Sequence, residues 1–125
     1  MASGTRSSGI RIVIKRAYES ANDADGYRAL VDRLWPRGVK KEVLQLDEWC
    51  KDVAPSTELR KWFGHDPARF DEFRARYIDE LTISDAPHQL LERAQTSSRL
   101  TLVYAAKDPK INHARVLYEY LECLL

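Results

Sequence analysis

The sequence predicts an α/β fold: one three-layer domain with a small, mostly parallel sheet flanked by helices. Three observations carry that expectation. Leu100 to Ala106 is a near-continuous apolar run, as expected of a central strand covered on both faces. Ile12, Val13 and Ile14 are adjacent and β-branched, which favours an extended, mostly buried strand early in the chain. Between these runs, and again after the second, apolar residues recur at helical spacing, and strands alternating with helices build parallel sheets.

In chain order, Met1 to Gly9 is small and polar with one arginine, so a disordered segment is expected at 1–9, with the α/β domain at 10–125. The start lacks the apolar core of a signal peptide, and no later apolar run approaches the ~20 residues that span a bilayer. A cytoplasmic protein of bacterial type is expected. The first strand falls at 10–16, Asp25-Gly26 is a turn signal, and the second strand falls at 27–33. Pro36 to Gly38 turns the chain, and Lys40 to Leu44 fits a short helical turn.

The stretch 47–53 reads as a strand, with a helix as the alternative: Leu46, Trp49, Cys50 and Val53 fit helical spacing, but the run is short and stops at Ala54-Pro55. Ser56 or Thr57 can cap a short helix at 58–63 that ends at Gly64. Asp66-Pro67 opens a longer helix at 67–81 with Phe70, Phe73, Tyr77 and Leu81 on one face. Ser84 or Asp85, with Pro87 just inside, opens another, whose Leu90, Leu91 and Ala94 face inwards. After the strand at 100–106, Lys107-Asp108-Pro109 stops the run, and 112–124 carries Val116, Leu117, Tyr120, Leu121 and Leu124 at helical spacing.

A length of 125 residues suits one domain, and 44% hydrophobic with 31% charged residues is ordinary for a globular protein. The net charge of +1 gives no global pull towards nucleic acid or anionic membrane, so any anion binding must come from local clusters of Arg and Lys. Cys50 and Cys123 lack metal-ligand spacing and stand in apolar sequence, which predicts reduced core thiols rather than a disulfide. His65, His88 and His113 share no ligand spacing, so neither a zinc site nor any other cofactor is expected. Arg60, Lys61, Arg69, Arg74 and Arg76 are interspersed with acids, the pattern of a solvated face rather than a nucleic-acid groove.

In open parallel sheets, ligands bind beyond the carboxyl ends of the strands, where loops gather side chains and helix N-termini. Two stretches meet that description. The first is Asp32-Arg33-Leu34-Trp35-Pro36-Arg37-Gly38; the second is Tyr104-Ala105-Ala106-Lys107-Asp108 leading through Asn112 and His113 into a helix. Together they predict an anion pocket. Arg33, Arg37 and Lys107 would hold a phosphate or carboxylate, with Trp35 and Asn112 beside them, while Asp32 and His113 would position or exchange a proton. Plainer readings stand next to these: Asp32 and Arg33 capping a strand, Trp35 packing under the loop, His113 as a solvent-facing first-turn residue. The alternative function is a non-enzymatic module that binds protein or nucleic acid through an exposed surface of Trp35, Trp62 and Phe63. Neither cysteine falls in a strand-to-helix loop, which disfavours thiol catalysis.

At these same motifs the chain resembles the YeaO-like branch of the DUF488 family. The likeness runs from about Ile10 to the C-terminus and includes Asp25-Gly26-Tyr27-Arg28, Leu30 to Gly38, Asp47-Glu48-Trp49, Ala54-Pro55-Ser56, Leu59 to Phe63, and Leu102 to Asp108 with Asn112-His113-Ala114. The resemblance implies a bacterial protein and carries over no established reaction. More distant members have a Cys-His-Arg run near the start of the last helix where this chain has Asn112-His113-Ala114. The histidine is present and the cysteine is not, so the resemblance implies no thiol chemistry here.

Overall fold

A computed structural model describes residues 9–125. The expectation of a disordered segment at 1–9 therefore falls almost wholly outside the described residues. Four strands form one parallel sheet: β1 (Arg11–Arg16), β2 (Tyr27–Leu30), β3 (Glu48–Trp49) and β4 (Arg99–Tyr104), in the spatial order β1-β4-β2-β3. The apolar run is thus central, with Ile12 beside Leu100 on one side and Ala29 beside Leu102 on the other. The helices are α1 (Lys41–Leu44), α2 (Thr57–Phe63), α3 (Phe70–Thr82), α4 (Ala86–Ala94) and α5 (His113–Leu124). No helix is long and apolar enough to cross a membrane among these residues.

Side-chain alternation divides the sheet into two unequal faces. Ile12, Ala29, Val31, Leu100, Leu102 and Tyr104 point into the main core, where they meet Phe73, Tyr77, Leu90 and Leu117 of the helices. The other face is thinly covered. Leu30 and Val103 pack there against Ala17, Leu44, Trp35, Val39 and Leu46. Its polar part is built round buried Arg28, which donates to Asp25 at 2.6 Å and to the Leu44 carbonyl at 2.8 Å, while Lys15 approaches Asp25 at 3.1 Å. Satisfying a buried guanidinium with a carboxylate and helix-end carbonyls lets a segment with little apolar content seal the sheet.

Local sequence explains most element ends. Ser56 Oγ accepts from the Leu59 N–H and donates to Glu80, which fixes the start of α2 against α3, and Gly64 closes α2 in the left-handed region. Asp66 and Pro67 start a 3₁₀ turn, Pro67–Arg69, that runs into α3. Asn112 caps α5 by accepting from Arg115 N–H at 2.9 Å.

Several boundaries differ from expectation. The second strand ends at Leu30 and the central one at Tyr104, because the Asp32 carboxylate takes the Ala105 N–H that would continue the ladder. The stretch 47–53 divides: Glu48–Trp49 pair with β2, and Lys51–Val53 form a 3₁₀ turn. Cys123 is exposed rather than in the core, since it lies in the last turn of α5 on the side away from Leu117 and Leu121. Both cysteines are free.

Candidate functional site

The strand ends of β2 and β4 lie side by side, and Asp32 joins the loops that leave them. Its Oδ2 accepts from Ala105 N–H at 3.0 Å. Its Oδ1 is buried and lies 2.8 Å from His113 Nε2 at the first position of α5. The same nitrogen is 3.2 Å from the Val31 carbonyl oxygen and is better aligned with it. Oδ1 therefore has a nearby imidazole but no aligned hydrogen-bond donor among the described residues. A carboxylate and an imidazole so arranged can share or pass a proton.

Around this pair opens a cleft of about 530 Å³, a size that suits a small-molecule ligand. Phe63 and Phe73, stacked with ring centres 4.2 Å apart, form buried lining, and Leu34, 59% exposed, stands at the rim. Arg33, Arg60 and Lys107 supply positive charge, with His65 and His113 beside them. Arg33 is braced by its Nε–H donating to Pro55 O at 3.0 Å, and Arg16 braces the opposite loop by donating to Ala106 O at 2.9 Å. Asp108 faces the cleft but is turned into its own loop. The Lys110 and Ile111 N–H groups donate to its carboxylate and hold its carboxyl below the usual range.

Of the residues selected from sequence, Asp32, Arg33, Lys107, Asn112 and His113 come together here. Asn112 is buried with both ends of its amide engaged, Nδ2 donating to Asp108 O at 2.7 Å and Oδ1 capping α5, so its visible work is to shape the loop. Trp35 and Arg37 are not in the cleft. The chain turns away at Pro36 and Gly38 to cover the thin face, where Trp35 donates to Val39 O and meets Trp49 edge-on at 5.3 Å, while Arg37 is exposed. Nor do Trp35, Trp62 and Phe63 share a surface: Phe63 is core, and Trp62 lies under the guanidinium groups of Arg69 and Arg76.

Arg60 and His65 reach the cleft without having been selected. The charge pattern around Arg60 predicts a solvated face, yet its Nε is buried with no hydrogen-bond partner among the described residues. Its position one residue after Leu59 and three before Phe63, both buried, places it on the flank of the buried side of α2, which was the available signal. His65 follows Gly64 with φ at +60°, a conformation few non-glycine residues adopt. Neither cysteine lines the cleft, and burial pushes the Cys50 thiol up to about 12, aided by the Glu48 charge. Among the described residues no group of three or more His, Cys, Asp or Glu could hold a metal ion.

This geometry defines a small parallel α/β protein with a cationic cleft at the carboxyl ends of two adjacent strands. The chain belongs to the DUF488 family, in its YeaO-like branch: a family model described as the inactive DUF488-N3 subclade matches residues 11–125. It is 46% identical to "Uncharacterized protein YeaO" of Escherichia coli (strain K12) over 115 residues, 92% of this chain and 100% of that protein. It is 45% identical to "Uncharacterized protein Rv3073c" of Mycobacterium tuberculosis (strain ATCC 25618 / H37Rv) over 111 residues, 89% of this chain and 93% of that protein. No solved structure matches the chain.

Proposed function

We propose that this protein binds a small anionic ligand, bearing a phosphate or carboxylate group, in the cleft beyond β2 and β4. One observation carries the reading. Arg33, Arg60 and Lys107 share the cleft, and none has a carboxylate within ion-pair distance among the described residues. By contrast Arg69, Arg74, Arg76, Arg93 and Arg115, on the helices and their turns, each have an acidic neighbour. Cations that no carboxylate pairs with favour an anion from solution, the more so for the half-buried Arg33 and Arg60, and Arg adds the planar fork that recognises carboxylate or phosphate.

Among the described residues no Cys, Ser, Thr or Tyr lines the cleft, so none of their thiols or hydroxyls is placed to attack a bound molecule. The family's description as inactive accords with this. Asp32 and His113 stand where they would position the ligand's charged end or exchange a proton with it.

Thermal-shift and calorimetric titrations with carboxylates, inorganic phosphate and nucleotides test the reading. A ligand that binds only the native state raises its apparent stability by mass action. The shift should be lost in Lys107→Ala and Arg60→Ala and kept in Lys61→Ala, whose side chain is exposed outside the cleft. Equal shifts in all three would place binding elsewhere.

A further inference from the structure

We infer that the cleft takes a monocarboxylate carried on an apolar body, in preference to a phosphate or a nucleotide; this rests on the anion-binding reading above and narrows it. The first ground is charge. Among the arginine, lysine and aspartate side chains of the lining, three cations stand with two carboxylates, Asp32 and Asp108, an excess of one positive charge. Asp108 is kept ionised by its two backbone donors, so it stands as a fixed negative charge near the bound molecule. One anionic group is matched by this cleft; a second or third would meet repulsion.

The second ground is the backbone. Phosphate sites draw on loop and helix N-terminal N–H groups. Here the chain's own side chains already occupy four of them, those of Ala105 (by Asp32), Lys110 and Ile111 (by Asp108) and Arg115 (by Asn112). With fewer backbone donors to draw on, recognition shifts towards the side-chain cations, and the Arg33 guanidinium, braced through Nε, keeps its Nη groups for a bidentate carboxylate contact.

The third ground is the lining. Phe63, Phe73, Pro55 and Ile111 give an apolar interior, and Leu34 leaves an aliphatic side chain open to solvent at its rim. A ligand with a hydrocarbon or aromatic body would remove these surfaces from water, whereas a sugar phosphate would lose hydration against them without replacement.

Calorimetric titration of the intact chain with butanoate, hexanoate, octanoate, octanamide, inorganic phosphate and ADP tests the inference. Affinity should rise along the acid series by about fourfold per methylene, and octanoate should bind at least about tenfold tighter than octanamide, as a charged hydrogen-bonded pair requires. Lys107→Ala should weaken all the acids alike. Leu34→Ala, a substitution at an exposed position that leaves the core intact, should flatten the chain-length dependence. Phosphate or ADP binding tighter than octanoate, with sensitivity to Lys107→Ala, would overturn the carboxylate inference and leave the anion cleft standing. Octanamide matching octanoate, or no binding by any member, would remove both.

Discussion

Single residues on the thin face control how the protein responds to pH. Burial pushes the Asp25 carboxyl up, but Lys15, the Asn22 N–H and Arg28 outweigh it and hold the group below its usual range. A folded pKa below the unfolded one contributes stability that is complete above the unfolded value and is lost as pH falls through the folded value. Asp25→Asn should therefore destabilise the protein by about 3 kcal/mol near neutral pH, because Arg28 is left buried without its counter-charge. In urea titrations the gap to wild type should narrow as the pH falls below about 4; a gap that holds constant into that range would show that the carboxylate's charge contributes nothing. The two cysteines make a second contrast. Cys123 is exposed, while Cys50 is buried with its thiol raised to about 12, chiefly by burial. A disulfide reagent at about pH 8 should modify one thiol per folded chain and the second only after denaturation, and rapid reaction of both would contradict the burial of Cys50.

At the scale of elements, the connection from β1 to β2 is the tightest piece of construction. It crosses β4 at Gly26, where φ is +67° and an added Cβ would stand 2.4 Å from the Arg99 carbonyl oxygen. Gly64, at the end of α2, has φ +54° but would meet only Lys61 O at 3.6 Å. Gly26→Ala should cost about 3 kcal/mol and Gly64→Ala about 1; equal midpoints in denaturant would mean that the crossing relaxes freely. Elements that announce themselves through their own residues were legible in the sequence: α3 and α5 by apolar spacing and caps, β4 by its unbroken apolar run. For β3 the strand expected at 47–53 was legible but its extent was not, because a two-residue strand is defined by what β2 offers it, the Asp47 and Cys50 N–H groups bonding to Arg28 O and Leu30 O, and not by any pattern of its own. The cleft divides in the same way. Asp32, Arg33, Lys107 and His113 follow from the rule that loops at strand ends converge. Arg60 and His65 come from α2 and its turn, whose place depends on Phe63 stacking on Phe73 across two helices. Trp35 and Arg37 were grouped with their sequence neighbours, but the turn at Pro36 to Gly38 sends them to the opposite face.

For the whole molecule, the unequal faces imply unequal local stability. β4 has a paired strand on both sides and most of its residues fully buried, and the helical layer rests on it through Tyr77, Leu90 and Leu117. The thin face is sealed by a 3₁₀ turn, Asp23–Asp25, the four residues of α1 and a few side chains around Leu30 and Val103. Apolar burial dominates folding, so the layer with less of it should open first even within one cooperative domain. Native-state hydrogen exchange should place the amides of β4 at the global unfolding limit and those of α1 well below it, and Leu44→Ala should widen that difference by enlarging the opening of the thin face alone. The cleft, set at the end of β4 on braces from Arg16 and Arg33, belongs to the stable part of this gradient. An anion bound there should consequently stabilise β4 and α5 more than α1. Uniform protection across all three would instead mean that the two faces of the sheet open together, and that the Asp25–Arg28 network couples the thin face to the core as tightly as apolar packing does.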